Sequence, residues 1–311
     1  MKVFVTGVAG QLGHDVMNEL AKRGYEGIGS DIAPTYSGIQ DSSAVTLAPY
    51  RSMDITNSEA VESTLSDVKP DVVVHCAAWT AVDLAEDADK QEKVRAINAG
   101  GTRNIALACK KLNCKMVYIS TDYVFPGDGT EPYETDAPKG PTNVYGKSKL
   151  MGEEAVSSIL RRCFIVRISW VFGINGKNFI RTMLRLGQSH AKLTVVDDQV
   201  GSPTYTRDLA VLLADMIQTE RYGVYHATNE GFCSWAELAA EVFRQAGMPV
   251  VVEPVPSSAY PTRAVRPHNS RMSKRSLTEA GFSLLPRWQD AVGRYLIELE
   301  SLREQQEARA E

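Results

Sequence analysis

Three glycines follow the first strand of this chain. A β-branched run, Lys2–Thr6, passes directly into Thr6-Gly7-Val8-Ala9-Gly10-Gln11-Leu12-Gly13. Glycine has no Cβ and takes up positive φ without strain, so such a turn lets a ligand approach the bare backbone. If a helix follows, its free N–H groups and the positive end of its dipole make a seat for phosphate. The next segment, Val16–Lys22, has apolar residues at helical spacing, and Gly24 is its stop. The spacing is G-x-x-G-x-x-G rather than G-x-G-x-x-G. The string is a weak sign alone and gains weight from its place between strand and helix.

The rhythm of the first half agrees. Tyr25–Ser30 is a second strand, ending at Asp31, and Ser58–Ser66 is a helix with Asn57 or Thr56 as its cap. Asp71–Cys76 and Lys115–Ser120 are continuous apolar strands of the kind buried on both faces. Lys93–Leu112 and Val144–Leu160 read as helices, and Cys163–Ser169 as a further strand. This alternation specifies an α/β fold, a Rossmann-type doubly wound parallel sheet with helices on both faces. At 311 residues the chain divides into two lobes: 1–170 binding the dinucleotide, and 171–311 a smaller C-terminal α/β substrate lobe. The segment around 223–235, with the strand-like Gly223–Ala227, returns to the first lobe. The charged, apolar-poor end, Ser301–Glu307, reads as a fraying helix or a tail.

Composition excludes several classes. The formal charge of -4, mixed in sign along the chain, gives no basic surface for nucleic acid. No run of about 18 apolar residues exists, so no membrane span is expected. Five widely spaced cysteines lack zinc or redox spacing. They read as reduced thiols and place the protein in the cytoplasm.

Two further features carry chemistry. Asp31 lies 18 positions after Gly13 (31 − 13). An acid there accepts hydrogen bonds from adenosine ribose hydroxyls and repels a 2′-phosphate, so the cofactor is NADH or NADPH with NADH favoured. Tyr145 and Lys149 are four residues apart and share a helix face. A free phenol titrates near ~10, and a nearby ammonium lowers that value. Tyr145 can then protonate a ketone oxygen as hydride reaches its carbon. A hydroxyl at a strand end should bind that oxygen: Thr121, with Ser120 as the alternative. Asp54-Ile55 and Ala77-Ala78-Trp79-Thr80 follow later strands and flank the adenine and the nicotinamide ribose.

TGVAGQLG, AAWTAVDLAED, INAGGTRNIA, YISTDYVFPGDG, PTNVYGKSKLMGEE, RISWVFG and DDQVGSPTYTRDLA occur in that order. The set resembles the extended short-chain dehydrogenase/reductase superfamily and, within it, the dTDP-4-dehydrorhamnose reductases. The likeness is strong from Met1 to about Leu209. It implies reduction of the 4-keto group of a dTDP-6-deoxy-4-keto sugar. By that likeness Tyr145 donates the proton, Lys149 binds the ribose and tunes Tyr145, and Thr121 polarises the keto oxygen. Gly7, Gly10, Gln11, Leu12 and Gly13 hold the pyrophosphate. Asp31, Asp54, Ile55 and Ala77 to Thr80 line the cofactor, and Asp122 and Trp170 touch the sugar. Trp170 also reads as a buried core residue. Asn178 and the loop Gln199–Thr204 would wall the nucleotide pocket, and Arg207 and Arg266 would meet phosphate.

Trp79 stands where the resembled family has a smaller aromatic or His. Glutamates that bridge subunits through a metal in some relatives have no match, so no metal is expected. His190, His226 and His268 read as structural. The helix Lys93–Leu112 offers a face for a homodimer. Two rivals remain: a nucleotide-sugar epimerase or dehydratase on the same fold, and a non-catalytic cofactor-binding subunit. The intact Thr121, Tyr145 and Lys149 set weighs against the second.

Overall fold

The computed structural model describes residues 1–310. Its centre is a parallel sheet of seven strands: β1 (Lys2–Thr6), β2 (Glu26–Asp31), β3 (Tyr50–Ser52), β4 (Val72–His75), β5 (Lys115–Thr121), β6 (Cys163–Ile168) and β7 (Gly223–His226). Their spatial order is β7-β6-β5-β4-β1-β2-β3. The order reverses between β1 and β4, where the connections leave toward opposite edges and open a crevice at the strand ends. Gly223–His226 pairs with β6 in parallel register, so this segment does return to the main sheet.

Period-two alternation divides the strands between two cores. Val3, Val5, Val72, Val74, Val117 and Val166 face one layer, with the helices Gln11–Lys22 and Thr206–Met216. Phe4, Val73, Met116, Tyr118 and Ile165 face the other, with Ser58–Val68, Thr102–Leu112 and Val144–Ile159. Each fully buried Val, Leu or Phe contributes about 1.5–3 kcal/mol, so both faces hold without polar help. A third core, including Phe172, Tyr205, Leu238, Trp288 and Tyr295, lies in the C-terminal half. All five cysteines are free, and no helix among the described residues is long and apolar enough to cross a membrane.

Some bounds differ from the expectation. The first helix begins at Gln11, directly on the glycine turn, because Gly10 serves as its N-cap. The expected helix Lys93–Leu112 is interrupted by a π-helical stretch, Ala96–Gly101. Within it the Asn98 side chain turns to clamp the backbone of Trp79, accepting from its N–H at 2.8 Å and donating to its carbonyl at 3.1 Å. The edge strand β3 was not anticipated, and the chain end forms the helix Trp288–Ala310.

Candidate active site

A cleft of about 1080 Å³ opens where β1 and β4 diverge. Its floor is the glycine turn. Gly7 has φ +72°, and a Cβ there would lie 2.6 Å from the Ala77 backbone nitrogen. A Cβ on Gly13 would collide with the Gly7 carbonyl. The glycines are therefore required by close packing, and the first turn of the helix presents its N–H groups to the cleft with no side-chain cap. This cradle fits a dinucleotide pyrophosphate.

Most of the expected residues meet here. Gly7, Gly10, Gln11, Leu12, Gly13, Asp31, Asp54, Ile55, Ala77, Ala78 and Thr80 line the cleft. So do Thr121, Asp122, Tyr145, Lys149 and Trp170. Trp170 is half-buried rather than a buried core residue: it stacks on Trp235 with ring centroids 3.7 Å apart and lines the cleft. Its φ of 49° is unusual for a bulky side chain, a strain of about 1–3 kcal/mol held on the cleft wall.

Others do not meet the cleft. The Trp79 indole donates to the Ala81 carbonyl at 3.0 Å and does not line it. Asn178 caps the helix Phe179–Gly187, accepting from the Arg181 N–H at 3.0 Å, and donates to Gln11 and Tyr295. It braces the cradle from behind and is not a wall of the pocket. Arg207 pairs with Glu298 at 3.2 Å. Arg266 pairs with Asp83 at 2.5 Å, one layer behind the cleft residue Tyr123. In the loop Gln199–Thr204, the Ser202 hydroxyl donates to the Gly231 carbonyl and that of Thr204 to the Ser169 carbonyl. Both side chains are buried and absent from the cleft walls.

Asn175, Lys177, Lys93, Cys76 and Tyr123 also line the cleft and were not anticipated. Asn175 donates to the Ala9 carbonyl at 2.9 Å and accepts from the Ile39 N–H at 3.1 Å. It ties the glycine turn to the loop after β2 from 166 positions away. No local pattern marks such a contact.

At the inner end stand the ionisable groups. Tyr145 opens the helix Val144–Ile159, whose N-cap Asn143 accepts from the Gly146 N–H at 2.8 Å. Burial pushes the Tyr145 phenol above its usual range, and a hydrogen bond with Thr121 pulls it back in part. The depression by Lys149 expected from the spacing is not what these residues produce on their own. The Lys149 ammonium donates to the Ile119 carbonyl at 2.6 Å and sits 4.2 Å over the Tyr118 ring. Burial brings it down to about 7, against the pull of Glu153. Asp122 is pushed up to about 6 by burial, while hydrogen bonds from Ser270 at 2.5 Å and Thr121 at 2.9 Å hold it down. Both of its oxygens are engaged, so Asp122 orients Thr121 from within the protein.

The arrangement can bind a dinucleotide, hold a carbonyl oxygen between two hydroxyls and deliver a proton to it. Comparison with known proteins agrees. The chain is 38% identical over 301 residues to the spore coat polysaccharide biosynthesis protein SpsK of Bacillus subtilis, covering 96% of this chain and 98% of that one. It is 40% identical to the dTDP-4-dehydrorhamnose reductase of Streptomyces griseus, covering 93% and 91% respectively. Among solved structures, the dTDP-4-dehydrorhamnose reductase of Bacillus anthracis in complex with NADP superposes with a TM-score of 0.86 at 39% identity, covering 96% of this chain and 100% of that one. That of Clostridium acetobutylicum gives 0.87 at 37%, with the same coverage. The family model described as RmlD substrate binding domain matches residues 1–301, and the chain belongs to that family.

Proposed function

We propose that this protein reduces the 4-keto group of a dTDP-6-deoxy-4-keto sugar, dTDP-4-dehydro-L-rhamnose to dTDP-L-rhamnose, with NADH or NADPH. The observation that carries the reading is the convergence of Thr121, Tyr145 and Lys149 at one end of a glycine-floored cleft. When bound, the reduced nicotinamide supplies the hydride. The glycine turn and the helix start at Gln11 hold the pyrophosphate, and Asp31 meets the adenosine ribose. Thr121, held beside Asp122 by its hydroxyl, donates to the keto oxygen once that single proton turns from the carboxylate into the cleft.

Tyr145 is the proton donor. A phenol held above its usual range keeps its proton at neutral pH, as a donor to a developing alkoxide must. The Lys149 ammonium holds ribose hydroxyls and stabilises the phenolate left after transfer. Trp170 presents a flat apolar wall to the deoxysugar.

We assign residues 1–170 to cofactor binding and 171–311 to the substrate lobe, with β7 and the helix Thr206–Met216 returning to the first. The helical face carrying Ala96, Gly100, Met151 and Ala155 is where a second copy would pack as a homodimer. The substrate is a cytoplasmic nucleotide sugar, and the enzyme works there.

The test is steady-state oxidation of NADH and NADPH with the dTDP-keto sugar made by upstream enzymes. Turnover with both is expected, with NADH preferred. Tyr145→Phe should keep NADH binding and lose about 10²–10⁴ in kcat. An unchanged rate removes Tyr145 from the mechanism. Stoichiometric NAD that survives purification and does not exchange would turn the assignment to an epimerase.

A further inference from the structure

A buried polar row lies directly behind the proposed proton donor. Ser120, Arg167 and His226 are register partners on β5, β6 and β7. They project from the sheet face that packs the helix Val144–Ile159. Glu153 descends from that helix into the row. Its carboxylate accepts from Arg167 Nε at 2.8 Å on one oxygen and Nη2 at 2.8 Å on the other. The Ser120 hydroxyl adds a third bond at 2.5 Å. Arg167 is 1% exposed and Glu153 7%. Arg167 also donates to the Thr135 carbonyl at 2.8 Å and faces the Phe125 ring. The carboxylate therefore has one place to be.

Tyr145, Lys149 and Glu153 follow at i, i+4 and i+8, one face of one helix. That face docks on three consecutive residues of β5. Tyr145 meets Thr121, Lys149 meets the Ile119 carbonyl, and Glu153 meets Ser120. We infer that Glu153, fixed by Arg167, is a positioning residue for Lys149: its anchor sets the helix against β5 and places a fixed negative charge one turn beyond the buried ammonium. This rests on the role given to Lys149 in the reading above and extends it to a carboxylate one turn further on.

The physical case is that a buried ion pair is weak evidence of stability. Well-packed apolar residues would close the same gap. A carboxylate one helical turn from a desolvated ammonium, though beyond ion-pair distance, has an additional effect, because an opposite charge nearby favours the charged form. The groups that interact with the Lys149 ammonium are Glu153 on its own helix, His75 and Cys76 at the end of β4, and Tyr118 on β5. Asp122 lies beyond Tyr145. Glu153 opposes burial in holding the ammonium, whereas the Cys76 thiol, pushed up to about 12 by burial, is neutral there. Removing its charge leaves Arg167 and Lys149 as two buried cations.

The test is NADH binding by fluorescence titration across about pH 5.5–9, which needs no sugar substrate. The charged lysine is present below its pKa and lost as pH rises, so affinity should fall on the alkaline side. In Glu153→Gln the midpoint should move to lower pH by about 1 unit, the lower end of the range for an opposite charge. Glu153→Asp should restore it. Because Glu153→Gln strands Arg167, the double variant Glu153→Gln/Arg167→Met is measured beside it. A purely structural pair predicts the parent midpoint in that variant, whereas the inference predicts the shifted one. A midpoint absent from the parent, or unmoved in the double variant, overturns it. Absent turnover of the keto sugar would count against the proposed reaction alone, since the binding midpoint is read without it.

Discussion

At Asp31 both carboxylate oxygens already accept backbone N–H groups, from Ala9 at 3.1 Å and Ile32 at 2.8 Å. The charge is thereby fixed at the end of β2, on the cleft wall. A 2′-phosphate brought there meets a like charge, worth about 1 kcal/mol at 4 Å in water and about 4 near a protein surface. Asp31→Ala should therefore raise the ratio of NADPH to NADH efficiency by about tenfold, equivalent to ~1.4 kcal/mol. The KM for NADH should rise as well, since Ala9 and Ile32 lose an acceptor. Kinetics with both cofactors check this, and an unmoved ratio removes Asp31 from cofactor choice. Asp31 was legible because the strand end fixes where its side chain goes. Asn178 was misread: an Asn directly before a helix is a capping signal, and the cap is what it makes. Ser270, which fixes Asp122 from 148 positions away, left no trace in the sequence, because nothing local encodes that meeting.

The element that matters most is the helix Val144–Ile159, since its first turn carries Tyr145 and its second Lys149. Asn143 holds that first turn from both sides. Its carbonyl oxygen accepts from the Gly146 N–H at 2.8 Å, and its amide donates to the Val265 carbonyl at 2.9 Å. Asn143→Ala should reduce stability by about 1–2 kcal/mol, the usual cost of a lost N-cap. It should also lower kcat, because the turn that frays bears Tyr145, the proposed proton donor. Asn57→Ala is the control. It removes the cap of Ser58–Val68, a bond at 3.0 Å to the Ala60 N–H, and should have a similar effect on stability with kcat unchanged. Urea titration and steady-state rates separate the two, and an equal loss of kcat in both would refute the argument. Helices and strands of this kind were readable because burial on two faces imposes continuous apolar runs and 3.6-residue spacing. The π-helical stretch Ala96–Gly101 was not readable. It exists because Asn98 spends its amide on Trp79 and Ser148, contacts that no periodicity records. The edge strand β3 is three residues long with two exposed, too short for alternation to show.

Across the whole molecule, two buried histidines set the response to acid. The Thr102 hydroxyl donates to the Asn98 carbonyl, so it accepts from His75 Nε2, and His75 Nδ1 accepts from Thr6. His226 donates from Nδ1 to the Ser273 carbonyl and accepts from Arg167 at Nε2. Each ring is thus neutral by its partners, and burial, with Lys149 or Arg167 nearby, brings each down to about 3 from 6.5. The unfolded chain takes up those protons first, so each histidine removes about 1.4 kcal/mol of stability per pH unit as pH falls from about 6.5 toward 3. Asp122 acts in the opposite sense. Its folded value of about 6 lies above 3.8, so between those limits the folded chain holds the extra proton and one histidine is offset. Lys149, at about 7, and His14, raised above 6.5 where Asp15 and Asp41 outweigh burial, act above this window. Glu298, raised from 4.5 by burial, acts in the same sense as Asp122, so unfolding free energy should fall by at most about 3 kcal/mol between about pH 6 and pH 4, no more than a net slope of one proton. His226→Gln removes one of the two sources, and Asp122 then cancels the other. Its stability, lower at neutral pH for the lost packing, should be nearly flat over the same interval. Urea unfolding of both proteins at four pH values decides the matter, because parallel curves would mean that His226 carries no proton linkage and that acid acts elsewhere.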